Sequence, residues 1–184
     1  MARPIARSID EAHLYLSLQP CQRCGTNGGA WQDGYADDEG APARRYLADC
    51  PGCGERREYI FRLPEKAGEP RPDDPWFFGG HEPSQLFDAG EWSMLASTAL
   101  KDGAAPPGPE ASGGGRMRSF ALVVAAFEEM LKFIPAGFDE VPESAFWTGR
   151  GQAVRREKPH CFTRDYLTSR RLAFQAELDD RFAR

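Results

Sequence analysis

The chain has 184 residues, 41% hydrophobic and 28% charged, with a net charge of −5 and five cysteines. This is an ordinary globular composition, long enough for one full core or for a small metal module beside a helical body. Its longest purely apolar run, Phe120 to Phe127, is far too short to cross a bilayer, and Met1-Ala2-Arg3-Pro4-Ile5 carries no hydrophobic leader, so a cytoplasmic protein with no membrane role is expected.

The first predicted element is a helix. Ser8 and Glu11 form a capping box, and Ile9, Ala12 and Leu16 recur on one face. His13 lies beside that face and reads as a half-buried helix residue. Pro20 stops the helix.

Two cysteine pairs follow, Cys21-Gln22-Arg23-Cys24-Gly25 and Cys50-Pro51-Gly52-Cys53-Gly54, separated by 25 residues. A C-x-x-C pair folds into a tight knuckle whose sulfurs point the same way, and two facing knuckles close a tetrahedron of thiolates. Gly25 and Gly54 allow positive φ, so backbone N–H groups can turn toward sulfur. Disulfides suit a reducing compartment poorly, and a redox C-x-x-C belongs in a βαβ context that is absent here. This stretch resembles the zinc-ribbon family. The resemblance implies a β-hairpin ribbon with Cys21, Cys24, Cys50 and Cys53 holding one structural Zn2+. Four sulfur ligands leave no open position for a catalytic water.

Within the ribbon, Trp31 and Tyr35 suggest one strand and Arg44 to Asp49 the returning one, joined by a long polar hairpin tip from Asp33 to Arg45. Arg57 to Leu63 alternates, with Tyr59, Phe61 and Leu63 on one face, and predicts a third strand. Arg23, Arg45, Arg56 and Arg57 flank the metal, where guanidinium groups would offset the charge of four thiolates.

Leu63-Pro64 to Pro75 reads as a linker, leading to the aromatic cluster Trp76-Phe77-Phe78. Asp88 and Glu91 form a second capping box before a helix over 89–101 that turns Trp92, Leu95, Ala96, Ala99 and Leu100 inward. Residues 103–115 read as a flexible loop rich in alanine, proline and glycine. The next helix, over 119–134, places Phe120, Val123, Val124, Phe127, Met130, Leu131 and Ile134 at helical spacing, with Glu128 and Glu129 on a solvated face. Phe138 to Trp147 is irregular, anchored by Phe138, Phe146 and Trp147. A basic loop follows with Arg150, Arg155, Arg156 and Lys158. The last helix spans 164–182, capped by Thr163, with Leu167, Phe174, Leu178 and Phe182 as its apolar stripe. His160-Cys161 precedes it and has no third partner that would make it a ligand set or a nucleophile–base pair.

The expected fold is α+β: an N-terminal, three-stranded antiparallel zinc ribbon packed on a three- to four-helix body. Residues 1–63 hold the first helix and the ribbon, residues 64–184 the helical body, packed as one compact unit.

No phosphate-binding glycine loop, H-E-x-x-H or G-x-S-x-G occurs, so no enzyme is expected. Net charge runs −1 over residues 1–63, −8 over 64–147 and +4 over 148–184. The acidic middle would repel phosphate and attract a basic protein surface. Arginine outnumbers lysine 19 to 4, a bias of GC-rich bacterial genomes. With Glu82-Pro83-Ser84-Gln85 and Gly90-Glu91-Trp92, a ribbon joined to an acidic helical body resembles immunity proteins of bacterial toxin–immunity systems. That resemblance implies a non-enzymatic inhibitor that binds a cognate toxin domain, to which acidic residues such as Asp73 and Asp74 would contribute. The competing expectation is a nucleic-acid-binding regulator using the ribbon arginines and the basic C-terminal helix.

Overall fold

The computed structural model describes residues 3–66, 68–69, 75–104 and 113–182. Asp73 and Asp74, and residues 105–112 of the expected loop, lie outside the described residues. The fold is α+β, with a three-stranded antiparallel sheet near the N-terminus and five α-helices among the described residues. These divide into two compact units. One lies within Met1–Pro70 with Phe78–Gly80 and Ser84–Leu86; the other lies within Arg71–Phe77, His81–Pro83 and Phe87–Arg184.

In the first unit, helix α1 spans Ile9–Leu18. Ser8 caps it by accepting from the Glu11 N–H at 3.0 Å. Glu11 is fully buried. Its carboxylate accepts from the Arg7 N–H at 2.7 Å, from the Arg7 guanidinium at 2.6 Å and from the Ser84 hydroxyl at 2.7 Å. A buried carboxylate is tolerated only when paired and hydrogen-bonded in this way. Ala12 and Leu16 are buried as expected, whereas Ile9, in the first turn, is half exposed.

Strands β1 (Gln32–Asp38), β2 (Ala41–Asp49) and β3 (Arg56–Arg62) form the sheet in sequence order. The expected long hairpin tip is instead a two-residue turn. Glu39 and Gly40 have φ of 56° and 85°, the left-handed pair that a tight antiparallel hairpin needs, and Asp37 Oδ1 accepts from the Gly40 N–H at 2.8 Å. The polar residues assigned to the tip therefore continue the strands, pairing Asp33 with Tyr46 and Asp38 with Ala41. Helix α1 covers the aromatic face of the sheet. His13 meets the Tyr46 ring edge-on at 5.6 Å and Tyr15 meets Phe61 at 5.7 Å. The far edge of β3 is occupied at Arg62 by a parallel bridge from Ile5.

The second unit holds four helices: α2 (Ala89–Ala104), α3 (Gly113–Lys132), α4 (Gly149–Glu157) and α5 (Arg164–Phe182). Helix α3 is its spine, burying Phe120, Val123, Val124, Phe127 and Met130. Phe127 stacks on Phe174 of α5 at 5.7 Å.

Three expectations change here. Gly113-Gly114-Gly115 belong to α3 and not to a loop. The basic stretch from Arg150 is the helix α4, capped by Thr148, which accepts from the Gly151 N–H at 2.9 Å. Glu129 is buried and ion-paired with Lys132 rather than solvated.

Asp88 explains α4. Its capping box with Glu91 is reciprocal: Oδ1 accepts from the Glu91 N–H at 2.8 Å, and Glu91 accepts from the Asp88 N–H at 3.1 Å. Its other oxygen accepts from both the N–H and the hydroxyl of Thr148, each at 2.8 Å. One buried carboxylate thus ties together the N-termini of two helices, and the helix dipoles favour a negative charge there. The helices approach so closely that a Cβ on Gly90 would sit 2.3 Å from the Gly151 Cα.

Candidate metal centre

The two knuckles are built alike. In the first, the Cys21 N–H donates to the Thr26 carbonyl at 2.9 Å and the Gly25 N–H to the Cys21 carbonyl at 2.8 Å. In the second, the Cys50 N–H donates to the Glu55 carbonyl at 2.8 Å and the Gly54 N–H to the Cys50 carbonyl at 2.9 Å. Gly25 and Gly54 have φ of 76° and 72°, the conformation that glycine adopts without strain. The first knuckle follows α1, and the second is the turn between β2 and β3, so the sheet fixes where its sulfurs point.

All four sulfurs lie within 4.8 Å of one another. Cys21 and Cys53 are 3.7 Å apart at Sγ, and Cys24 and Cys50 are 3.5 Å apart. A disulfide needs about 2.05 Å, so these thiols are free. A tetrahedral ion with sulfur bonds of about 2.3 Å needs edges of about 3.8 Å, which this donor set supplies with little movement. The four cysteines can therefore hold one metal ion.

The electrostatics point the same way. The Thr26 hydroxyl, 3.3 Å from the Cys24 sulfur, and the Thr26 backbone hold the Cys24 thiol down to about 6. Backbone hydrogen bonds from Cys24 and Arg23 lower Cys21 as well. The Glu55 backbone favours a Cys53 thiolate, but burial and the three neighbouring sulfurs together push Cys53 up to about 12. Such a cluster resists losing its last protons until a cation takes their place.

Gly52 lets the knuckles close on each other. A Cβ there would lie 2.4 Å from the Thr26 Oγ1 and 3.3 Å from the Cys24 sulfur. Neither Thr26 nor this contact was legible as part of the site, because both depend on how the knuckles face in space.

The four flanking arginines have different fates. Arg57 is buried between Trp31 and Tyr59, 4.9 Å and 5.8 Å from their ring centroids. It donates to the Gly28 carbonyl at 2.9 Å and the Gln19 carbonyl at 2.7 Å, tying the end of α1 to the first knuckle's loop. Arg23 pairs with Glu55 at 3.3 Å on the surface. Arg45 and Arg56 are exposed. His160 and Cys161, with Nε2 and Sγ 3.5 Å apart, form no group of three potential ligands among the described residues.

Among the described residues, no helix is long and apolar enough to cross a membrane. Comparison with known families, curated proteins and solved structures finds no significant match.

Proposed function

We propose that the centre holds one structural zinc and that the protein acts by binding another protein. In this reading it is a cytoplasmic, non-enzymatic inhibitor, an immunity protein that neutralises a cognate bacterial toxin domain with a basic surface. Zinc is the ion that four thiolates in a tetrahedron select, and a closed sulfur shell gives it no position for substrate or water.

The observation that carries the protein-binding reading is the segment from Phe138 to Trp147. Phe138 is 62% exposed and Trp147 47% exposed, so neither is the core anchor expected from sequence. Asp139, Glu140 and Glu143 are exposed beside them. Large exposed aromatics are common interface anchors, and acidic neighbours steer a basic partner. The segment is held in advance of binding: Arg164 donates to the Phe138 carbonyl at 3.0 Å and the Pro135 carbonyl at 3.3 Å. Rigid anchors lose less entropy on association.

Native mass spectrometry on protein purified from its own cells at low salt tests this. A stoichiometric protein partner is expected, and Phe138→Ala/Trp147→Ala should release it while leaving the metal bound. Absence of a protein partner at every salt concentration would contradict the proposal.

A second reading, a nucleic-acid-binding regulator, draws on Arg45 and Arg56, which are exposed on the ribbon and form no ion pair among the described residues. It predicts binding to DNA or RNA that weakens steeply with salt. No binding at low salt would remove it.

A further inference from the structure

The helical unit contains a groove of about 380 Å³ between α2, α3, α4 and α5 that neither the metal nor the Phe138–Trp147 segment uses. Its base is formed by Phe127 and Phe174, with Val123 and Met130 fully buried beneath, and the apolar surface it offers comes mainly from Met94, Leu100 and Val154 on its walls. Its rim is cationic. Among the described residues, Lys101, Lys158 and Arg170 line it against a single carboxylate, Glu157, which lies 3.7 Å from Lys158. Lys101 and Arg170 form no ion pair among the described residues, and the Arg170 guanidinium lies 4.7 Å over the Phe174 ring. The rim therefore carries two cations in excess above an apolar floor. At about 30 Å³ per small polar molecule or comparable group, the space takes roughly a dozen non-hydrogen atoms.

We propose that this groove binds a small amphipathic carboxylate, with the apolar tail against Leu100, Val154 and the Phe127–Phe174 base and the carboxylate at Lys101 and Arg170. The match is one of charge and polarity. A neutral lipid would leave the cations without a partner, and an inorganic anion would leave the apolar floor wet. This site is independent of the protein-binding reading above and of the metal.

Octanoate is the probe, added to the intact zinc-loaded protein, with 1-octanol and octylamine as neutral and cationic controls. Binding is followed by methyl NMR shifts at Met94, Leu100 and Val154. It is also followed by protection of Cys161, which lines the same groove, from iodoacetamide. Octanoate should bind saturably and protect Cys161, with the controls weaker. Lys101→Glu/Arg170→Glu changes only exposed side chains and should keep the far-UV circular dichroism. It should weaken octanoate by roughly tenfold or more and make octylamine the better ligand. The proposal is overturned if octanoate shows no saturable binding into the millimolar range. It is equally overturned if octanol binds as well, or if charge reversal leaves octanoate affinity unchanged.

Discussion

Asp88→Ala should be the most damaging single truncation at the start of α2, and its effect should depend on Gly151. The Asp88 carboxylate is fully buried and accepts from the Glu91 N–H and from the Thr148 N–H and hydroxyl. Loss of an N-cap costs about 1 kcal/mol. Stranding buried donors adds about 1–3 kcal/mol each, though neighbouring losses do not sum in full. The expected total is about 4 kcal/mol, read from urea unfolding followed by far-UV circular dichroism.

Gly151 gives the internal check. A Cβ there would sit 2.2 Å from each Asp88 carboxylate oxygen, so Gly151→Ala should be strongly destabilising in the natural protein. In the Asp88→Ala background those oxygens are gone. Alanine's better helix propensity, about 1 kcal/mol over glycine, should then offset much of the cost. Gly90→Ala is the control: its Cβ would meet Gly151 backbone at 2.3 Å and should stay damaging in both backgrounds. A cost for Asp88→Ala below about 1 kcal/mol, the range of an ordinary surface change, would mean that its carboxylate does not hold the two helix starts. So would additive Asp88 and Gly151 effects.

Two further outcomes follow from single groups. Gly52→Ala pushes a methyl against Thr26 at 2.4 Å and should weaken metal retention by about 10–100-fold in chelator competition, with partial rescue by Thr26→Ala; unchanged retention contradicts the close-knuckle geometry. Burial pushes Tyr46 from its ordinary 10.0 up to about 12. Because the folded value is the higher one, this stability is present below pH 10 and lost as pH rises toward 12, by up to roughly 3 kcal/mol. Tyr46→Phe should flatten that loss in alkaline unfolding curves, and an unchanged profile would place the Tyr46 hydroxyl in water.

What the sequence made legible was local. The C-x-x-C-G knuckles, the Asp88–Glu91 capping box, the Ser8 cap of α1 and the Thr163 start of α5 each depend on residues within five positions of one another, and each stands where expected, although Glu11 turns to Arg7 instead of completing a box with Ser8. Helix α3 was legible because its apolar period is long. What was missed depends on packing. Thr148-Gly149-Arg150-Gly151 has the propensity of a loop, yet it opens α4 because the Asp88 carboxylate anchors the Thr148 cap, and Gly151 leaves room for that carboxylate. The polar run from Asp33 to Arg45 hid how far the two expected strands extend, since the largely exposed β1 needs few apolar residues and Glu39-Gly40 alone makes the turn. Glu129 looked solvated although Lys132 stands one turn on in the expected helix, because its burial depends on what packs against that face. Ile9, Phe138 and Trp147 show the converse, apolar residues left exposed where a pattern assigned them to the core.

Zinc-edge X-ray absorption, with metal quantification, on protein purified from its own cells tests the four-thiolate centre most directly. A closed four-thiolate centre gives one zinc per chain with four sulfur neighbours at about 2.3 Å and no oxygen or nitrogen in the shell. A shell containing oxygen or nitrogen would mean an open or differently ligated site. A disulfide signature without metal would contradict the four-thiolate centre itself.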